Sequence, residues 1–215
     1  MRDEHGNALA STGLTGVPAA KTFRLPHGET VQAPRHEATE VLGRHVPASF
    51  PGGPIEPAGN KLTAGVGPGA YANRADVPDR QFADGLPRIV PLRADPAYSL
   101  AVEDTDPRGL KVLGADGKQA GVVSDVWVDR SEAMVRYFEI TLSHGGRTVL
   151  VPSTMVDIQG DHHRIVVGSI LAAQFADVPG LKSPDEVTAL EEDKIMAYYG
   201  AGTLYATPAR AEPLV

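Results

Sequence analysis

Two carboxylates three residues apart, Asp129 and Glu132, stand at a polar break between two apolar runs, with Arg136 entering the second run. Carboxylates held close share protons, because ionising one makes the other harder to ionise, while a nearby guanidinium pulls in the opposite direction. That trio suits a proton relay. It suits equally a solvated hairpin tip whose charges do no chemistry. A second acidic group, Glu103-Asp104-Thr105-Asp106, resembles a calcium loop only loosely, since it lacks the central glycine and distal bidentate glutamate of an EF-hand. His162 and His163 would point to opposite faces of a strand and so could not share one ion. His27, His36 and His45 have no common spacing and read as surface groups.

Other chemistry is excluded by what is missing. No glycine-rich phosphate loop follows a strand, and neither G-x-S-x-G nor H-E-x-x-H occurs, so a stand-alone enzyme is not expected. Gly65-Val66-Gly67-Pro68-Gly69, with a proline inside and no strand before it, reads as a bend. The absence of cysteine removes disulfides, thiolate nucleophiles and Cys-based metal sites. A net charge of −7 over 215 residues repels polyanions, which argues against nucleic acid as a partner. No run of roughly 18 apolar residues is present, and Met1–Ala10 is too polar for a signal peptide.

The elements that must position Asp129 and Glu132 are β-strands. Ala120–Val128 is rich in β-branched residues, Val135–Leu142 alternates, and His144-Gly145-Gly146-Arg147 turns that run into Thr148–Val151. Asp116-Gly117 marks a hairpin turn before them. Met155–Ile158 and Arg164–Val167 add two short strands, so residues 110–168 predict a small closed antiparallel barrel. Before it, 24 of the first 100 residues are Gly or Pro, which predicts an extended, irregular segment with short strand-like pieces at Thr22–Leu25, Thr30–Gln32 and Arg88–Leu92. Such a segment buries too little to order itself and is expected to lie on a second surface. After the barrel, Ile170–Phe175 predicts a short helix. Thr188 and Glu191 form a capping box for a longer one, expected to run to Tyr199 with Gly200 or Gly202 as its stop. The organisation is therefore an extended segment over 1–100, a barrel over 101–168 and a C-terminal helical segment over 169–215: mainly β with C-terminal α.

Several segments together resemble the cytoplasmic part of the H subunit of the purple-bacterial photosynthetic reaction centre, whose barrel gives the PRC-barrel fold its name. They are Lys21–Gly28 (KTFRLPHG), Gly65–Pro68, Arg88–Arg93 (RIVPLR), Asp106–Leu110 (DPRGL) and Val126–Glu132 (VWVDRSE). Near the end come Glu191–Lys194, Ala197–Tyr199 and Leu204–Pro208. They keep the family's order from Lys21 to about Leu214. Family members carry one N-terminal transmembrane helix ahead of this region, and Met1-Arg2-Asp3-Glu4 begins about where that helix ends. The chain is therefore expected at the cytoplasmic face of the photosynthetic membrane, held by partner subunits or by an anchor helix absent from this sequence.

The resemblance implies an accessory, non-enzymatic subunit that caps the pigment-binding L and M subunits, beside a cytochrome subunit and light-harvesting proteins in the same complex. It implies that this chain holds no cofactor, with bacteriochlorophyll, bacteriopheophytin, quinone and non-haem iron in the partner subunits. Covering the secondary quinone pocket excludes bulk water, so protons must arrive along carboxylates and ordered water. By motif match Asp129, Glu132 and Arg136 fall on positions lining that route. The proton-entry patch of one member of the family includes two histidines after an Asp-Gly pair, whereas here Asp84-Gly85 is followed by Leu86-Pro87, which leaves Asp84 and Asp79 as substitutes. The alternatives are a purely structural scaffold of the same complex and a ribosome-assembly factor with a related barrel.

Overall fold

The computed structural model describes residues 19–33, 43, 45–46, 50–51, 53 and 55–211, so Met1–Ala10 and His36 lie outside the described residues. Chain contacts divide the molecule into two units. The smaller includes an antiparallel hairpin of β1 (Lys21–Arg24) and β2 (Thr30–Ala33), together with the segment Phe82–Gly85. Its turn is closed by the Leu25 amide donating to the Glu29 carbonyl (2.8 Å), with Gly28 at φ +96. His27 in that turn departs from the surface placement expected of it. Its side chain is only 10% exposed because the imidazole lies against Gly85, where an added Cβ would fall 2.4 Å from the ring.

The larger unit contains the short pair β3 (His45–Val46) and β4 (Glu56–Pro57) and a seven-stranded sheet. The sheet's strands are β5 (Ile89–Pro91), β6 (Lys111–Leu113), β7 (Gln119–Asp129), β8 (Met134–Leu142), β9 (Thr148–Pro152), β10 (Asp157–Gln159) and β11 (Arg164–Val166). Their order is β10-β11-β6-β7-β8-β9, with β5 also pairing β7. At eleven residues β7 is long enough to take two partners besides β8: β6 pairs its first half, and β5 its last three residues.

Two features differ from the expected closed antiparallel barrel. β11 pairs β6 in parallel, with Ile165 opposite Val112, a geometry open to it because the intervening chain is long enough to cross over. The end strands β9 and β10 share no ladder. They are consecutive in the chain, and Pro152, which has no N–H to give a ladder, leads into a turn at Ser153–Met155 that bends the chain between them. The curved sheet encloses Val112, Val126, Trp127, Ile140, Val151 and Ile165, all essentially inaccessible.

The C-terminal helix α1 (Ala189–Tyr205) starts on the expected capping box. The Glu191 amide donates to Thr188 Oγ1 (3.1 Å), and the Thr188 amide donates to Glu191 Oε2 (2.9 Å). It does not stop at Gly200 or Gly202. Both are interior to the helix and serve close approach: a Cβ on Gly200 would meet the Pro68 carbonyl at 2.8 Å, and one on Gly202 would meet Ile170 Cγ2 at 2.4 Å. The short helix expected at Ile170–Phe175 is a 3₁₀ turn over Ala172–Asp177. His162 and His163 sit not on a strand but at a 3₁₀ turn, with His163 left-handed at φ +48.

Candidate functional site

Asp129 ends β7, opposite Ile89 of β5 on one side and Met134 of β8 on the other. The four residues 130–133 that connect the strands need an anchor, since Ala133 is held at φ +50, a costly conformation for an L side chain. Asp129 supplies it. Its Oδ1 accepts the backbone amides of Ser131 (2.9 Å) and Glu132 (3.2 Å), an Asx turn. Its carboxylate, with no exposed surface, also meets the guanidinium of Arg88: Nε donates to Oδ1 at 3.0 Å, and Nη2 lies 2.7 Å from Oδ2, outside hydrogen-bond direction. The same Nη2 donates to Glu132 Oε1 at 2.6 Å, and Glu132 is 52% exposed. Burial alone would push the Asp129 carboxyl up, but Arg88 and the Glu132 and Ser131 amides outweigh it and hold the group below the usual carboxylate range. Asp129 is an anion locked in place.

A different carboxylate lies on α1. Glu192 occupies the helix's fourth residue, in register with Ile195, Tyr199 and Gly202 on the buried face. Tyr137 of β8 donates its hydroxyl to Glu192 Oε2 at 2.8 Å. Burial pushes the Glu192 carboxyl up, and the charge of Asp79 adds to this. The Tyr137 hydrogen bond and the charges of Arg136 and Arg74 oppose the shift without cancelling it. Burial, with the charge of Glu192, also drives the Tyr137 phenol well above its ordinary value. The carboxyl faces a cleft of about 190 Å³ lined by Arg74, Arg136, Tyr137, Asp193 and Met196 among others. Arg74, on the rim, bridges Asp193 (3.4 Å) and Asp79 (3.3 Å). A buried carboxyl biased toward its neutral form, beside an open cleft, can take up and release a proton; a charge-locked one cannot do so readily.

Residues 1–94 match the family model described as the photosynthetic reaction centre, H-chain N-terminal region, and residues 101–170 match the PRC-barrel domain. The two matches run in sequence along the chain and together leave only the linker between them and the C-terminal segment uncovered. The chain belongs to the reaction-centre H-chain family. It is thus a subunit of the photosynthetic reaction centre, associated with a membrane complex through that assembly. No helix among the described residues is long and apolar enough to cross a membrane itself. Nor do those residues contain a group of three His, Cys, Asp or Glu side chains able to hold a metal ion.

In this H-chain the five residues singled out by sequence fall into three places. Asp129 and Glu132 are brought together, but by Arg88 rather than by Arg136. Arg136 sits where the β7–β8 register slips between Trp127 and Val128, and it lines the Glu192 cleft. A bulge of this kind re-aims a side chain out of the regular alternation. Asp79 joins both clusters: its carbonyl accepts the Arg88 amide (2.7 Å), and its carboxylate meets Arg74. Asp84 belongs to the small unit with His27. Sequence reasoning missed Arg88 and Glu192. Arg88 opens a buried strand, a place where a cation needs a partner, and Glu192 interrupts the apolar i, i+3, i+7 stripe of α1. A third network was also missed. Arg93 pairs with the buried Asp125 (3.0 Å) and Glu139 (2.9 Å), and the Trp127 indole donates to Glu139 (2.9 Å), tying β7 and β8 to the chain that follows β5.

Proposed function

We propose that this H-chain caps the cytoplasmic face of the pigment-binding L and M subunits, shields the secondary quinone pocket and carries protons toward it. In this reading it holds no pigment or quinone itself. Bacteriochlorophyll, bacteriopheophytin, quinone and non-haem iron belong to its partners, and a cytochrome subunit and light-harvesting proteins complete the assembly. It acts as a non-catalytic accessory of electron transfer at the cytoplasmic face of the photosynthetic membrane.

The observation that carries the proton-transfer part is the Tyr137–Glu192 pair, a buried carboxyl whose proton affinity is raised, beside a cleft of about 190 Å³. Glu132 is the second carrier, because it is half exposed and reached from solvent. Asp129 keeps its negative charge and organises the turn. The roles differ from a relay in which all three groups pass protons: Asp129 and Arg136 position, while Glu132 and Glu192 carry. Asp79 and Asp84 remain the candidates for entry.

The test is made in reaction centres assembled with the full chain. Glutamine keeps the size and hydrogen bonding of glutamate but cannot exchange a proton. Glu132→Gln and Glu192→Gln should each slow proton uptake and the second electron transfer to the quinone, by on the order of a hundredfold where no bypass exists. Primary charge separation should be unchanged, because the chain reaches the pigments only through long-range fields. Wild-type kinetics in the double variant would leave the chain a scaffold.

A further inference from the structure

We propose that Arg88 is a positioning residue that fixes the Glu132 carboxylate through a three-point clamp shared with Asp129. The proposal rests on the proton-transfer reading of Glu132 above, and assigns to Arg88 a role that neither its type nor its place in the sequence discloses.

The clamp is built from the backbone outward. Arg88 immediately precedes β5, and its main chain is fixed on both sides: its amide donates to the Asp79 carbonyl at 2.7 Å, and its carbonyl accepts the Arg130 amide at 2.9 Å. Arg130 braces the same stretch, donating through Nε to the Pro87 carbonyl (2.9 Å) and through Nη1 to Asp95 (3.2 Å). The Arg88 side chain therefore leaves a rigid base. Its fork then spends one edge on a fully buried carboxylate that two amides already hold, so the guanidinium has little freedom left. Glu132 is the member of the trio with solvent on one side, and its carboxylate is held by Arg88 Nη2 at 2.6 Å. An exposed glutamate tethered to a free surface arginine would gain little, because both long side chains lose rotamer freedom. Here one partner is already ordered, so that cost falls on Glu132 alone, and its carboxylate is directed to one place.

Lysine separates position from charge. It carries the same charge on a flexible stem as a single point and cannot reproduce a fork that serves two carboxylates. In reaction centres assembled with the full chain, Arg88→Lys should slow the proton-coupled second electron transfer roughly tenfold, below the hundredfold reached when a reacting group is misplaced by about 1 Å. The first electron transfer should not change. Combined with Glu132→Gln it should add nothing, since both changes disable the same carrier. Where Glu132→Gln slows the transfer, a wild-type rate in Arg88→Lys, or full additivity in the double variant, overturns the proposal.

One measurement does not depend on turnover. The infrared carboxylate band of Glu132, assigned by its loss in Glu132→Gln, should shift in Arg88→Lys as the 2.6 Å hydrogen bond is replaced. An unshifted band overturns the clamp. A shifted band with unchanged rates in Glu132→Gln keeps the clamp and rejects the proton-transfer reading. If Arg88→Gln, which strands the buried Asp129, fails to fold, Arg88→Lys still supplies both measurements.

Discussion

Asp129 at the end of β7 and Glu192 in the first turns of α1 are both buried carboxylates, yet their affinities for a proton are shifted in opposite directions. Asp129 meets a guanidinium and two backbone amides; Glu192 meets one phenol, with its cations farther off. Burial alone therefore does not set the direction of the shift. The partner decides, because desolvation penalises both anions and only Asp129 has donors enough to overcome it. The difference suits a division of labour in which a fixed anion shapes a turn and a carboxyl with a raised proton affinity exchanges a proton.

The largest way to break the contrast is to remove the fixed anion. Asp129→Ala strips Arg88 of its buried partner, leaves the Ser131 and Glu132 amides without an acceptor, and frees a turn that already holds Ala133 at positive φ. Breaking a buried ion pair by deleting one partner costs about 3 kcal/mol, and Arg88, at 29% exposed, recovers part of its hydration, so the loss should be at or just below that figure. The denaturant midpoint of the full chain checks this.

The two carboxylates should also tilt stability with pH in opposite directions. Asp129 is depressed in the folded state, so its contribution is present above the ordinary carboxylate range of about 4 and is lost as pH falls through the folded value. Glu192 is raised, so folded protein holds a proton that the unfolded chain has released. Its contribution is complete below about 4.3 and declines as pH rises through the folded value. Each slope is at most about 1.4 kcal/mol per pH unit, since one proton is exchanged. Glu192→Gln should flatten the decline on the alkaline side of that range, and Asp129→Asn the acid limb. Stability curves taken from pH 3 to 8 in which Glu192→Gln retains the wild-type alkaline slope would contradict the assignment.

How far this contrast was legible depended on which contacts are local. The β7–β8 hairpin, the turn at Asp129 and the Thr188–Glu191 capping box are fixed by residues near in sequence, and each could be read from alternation, turn chemistry and spacing. Arg88 lies 41 residues from Asp129, and Tyr137 lies 55 from Glu192; neither pairing leaves a local trace. The two helix-stop glycines misled for a related reason. Gly200 and Gly202 have the spacing of chain punctuation, but what selects them is the approach of Pro68 and Ile170 from elsewhere in the chain. The parallel pairing of β6 and β11 is likewise a property of the assembled sheet.

A smaller change sharpens the neutral side. Tyr137→Phe removes the phenol hydrogen bond to Glu192 Oε2 without changing the ring that fills the core. It should cost about 1 kcal/mol, the usual net value of a single hydrogen bond. It should also push the Glu192 carboxyl up further, because the phenol stabilises the ionised form. A stronger protonated-carboxyl infrared band at neutral pH in Tyr137→Phe would record this, and a weaker one would show that the phenol favours the acid instead.

The smallest expected effect concerns Glu132, and its smallness is what separates carrying a proton from holding a fold. Glu132 shares Arg88 with Asp129, yet it is half exposed and accepts from a guanidinium already paired on its other edge. Water can replace its contact with Arg88. Exposed ion pairs contribute roughly 0 to 1 kcal/mol, so Glu132→Gln, which can still accept from Arg88 Nη2, should shift stability by less than about 0.5 kcal/mol. Its unfolding midpoint should therefore overlay that of the wild type while Asp129→Ala falls far below. A loss in Glu132→Gln comparable to that in Asp129→Ala would mean that the trio stands as one structural unit, and any kinetic defect in Glu132→Gln would then have to be read as damage to the turn.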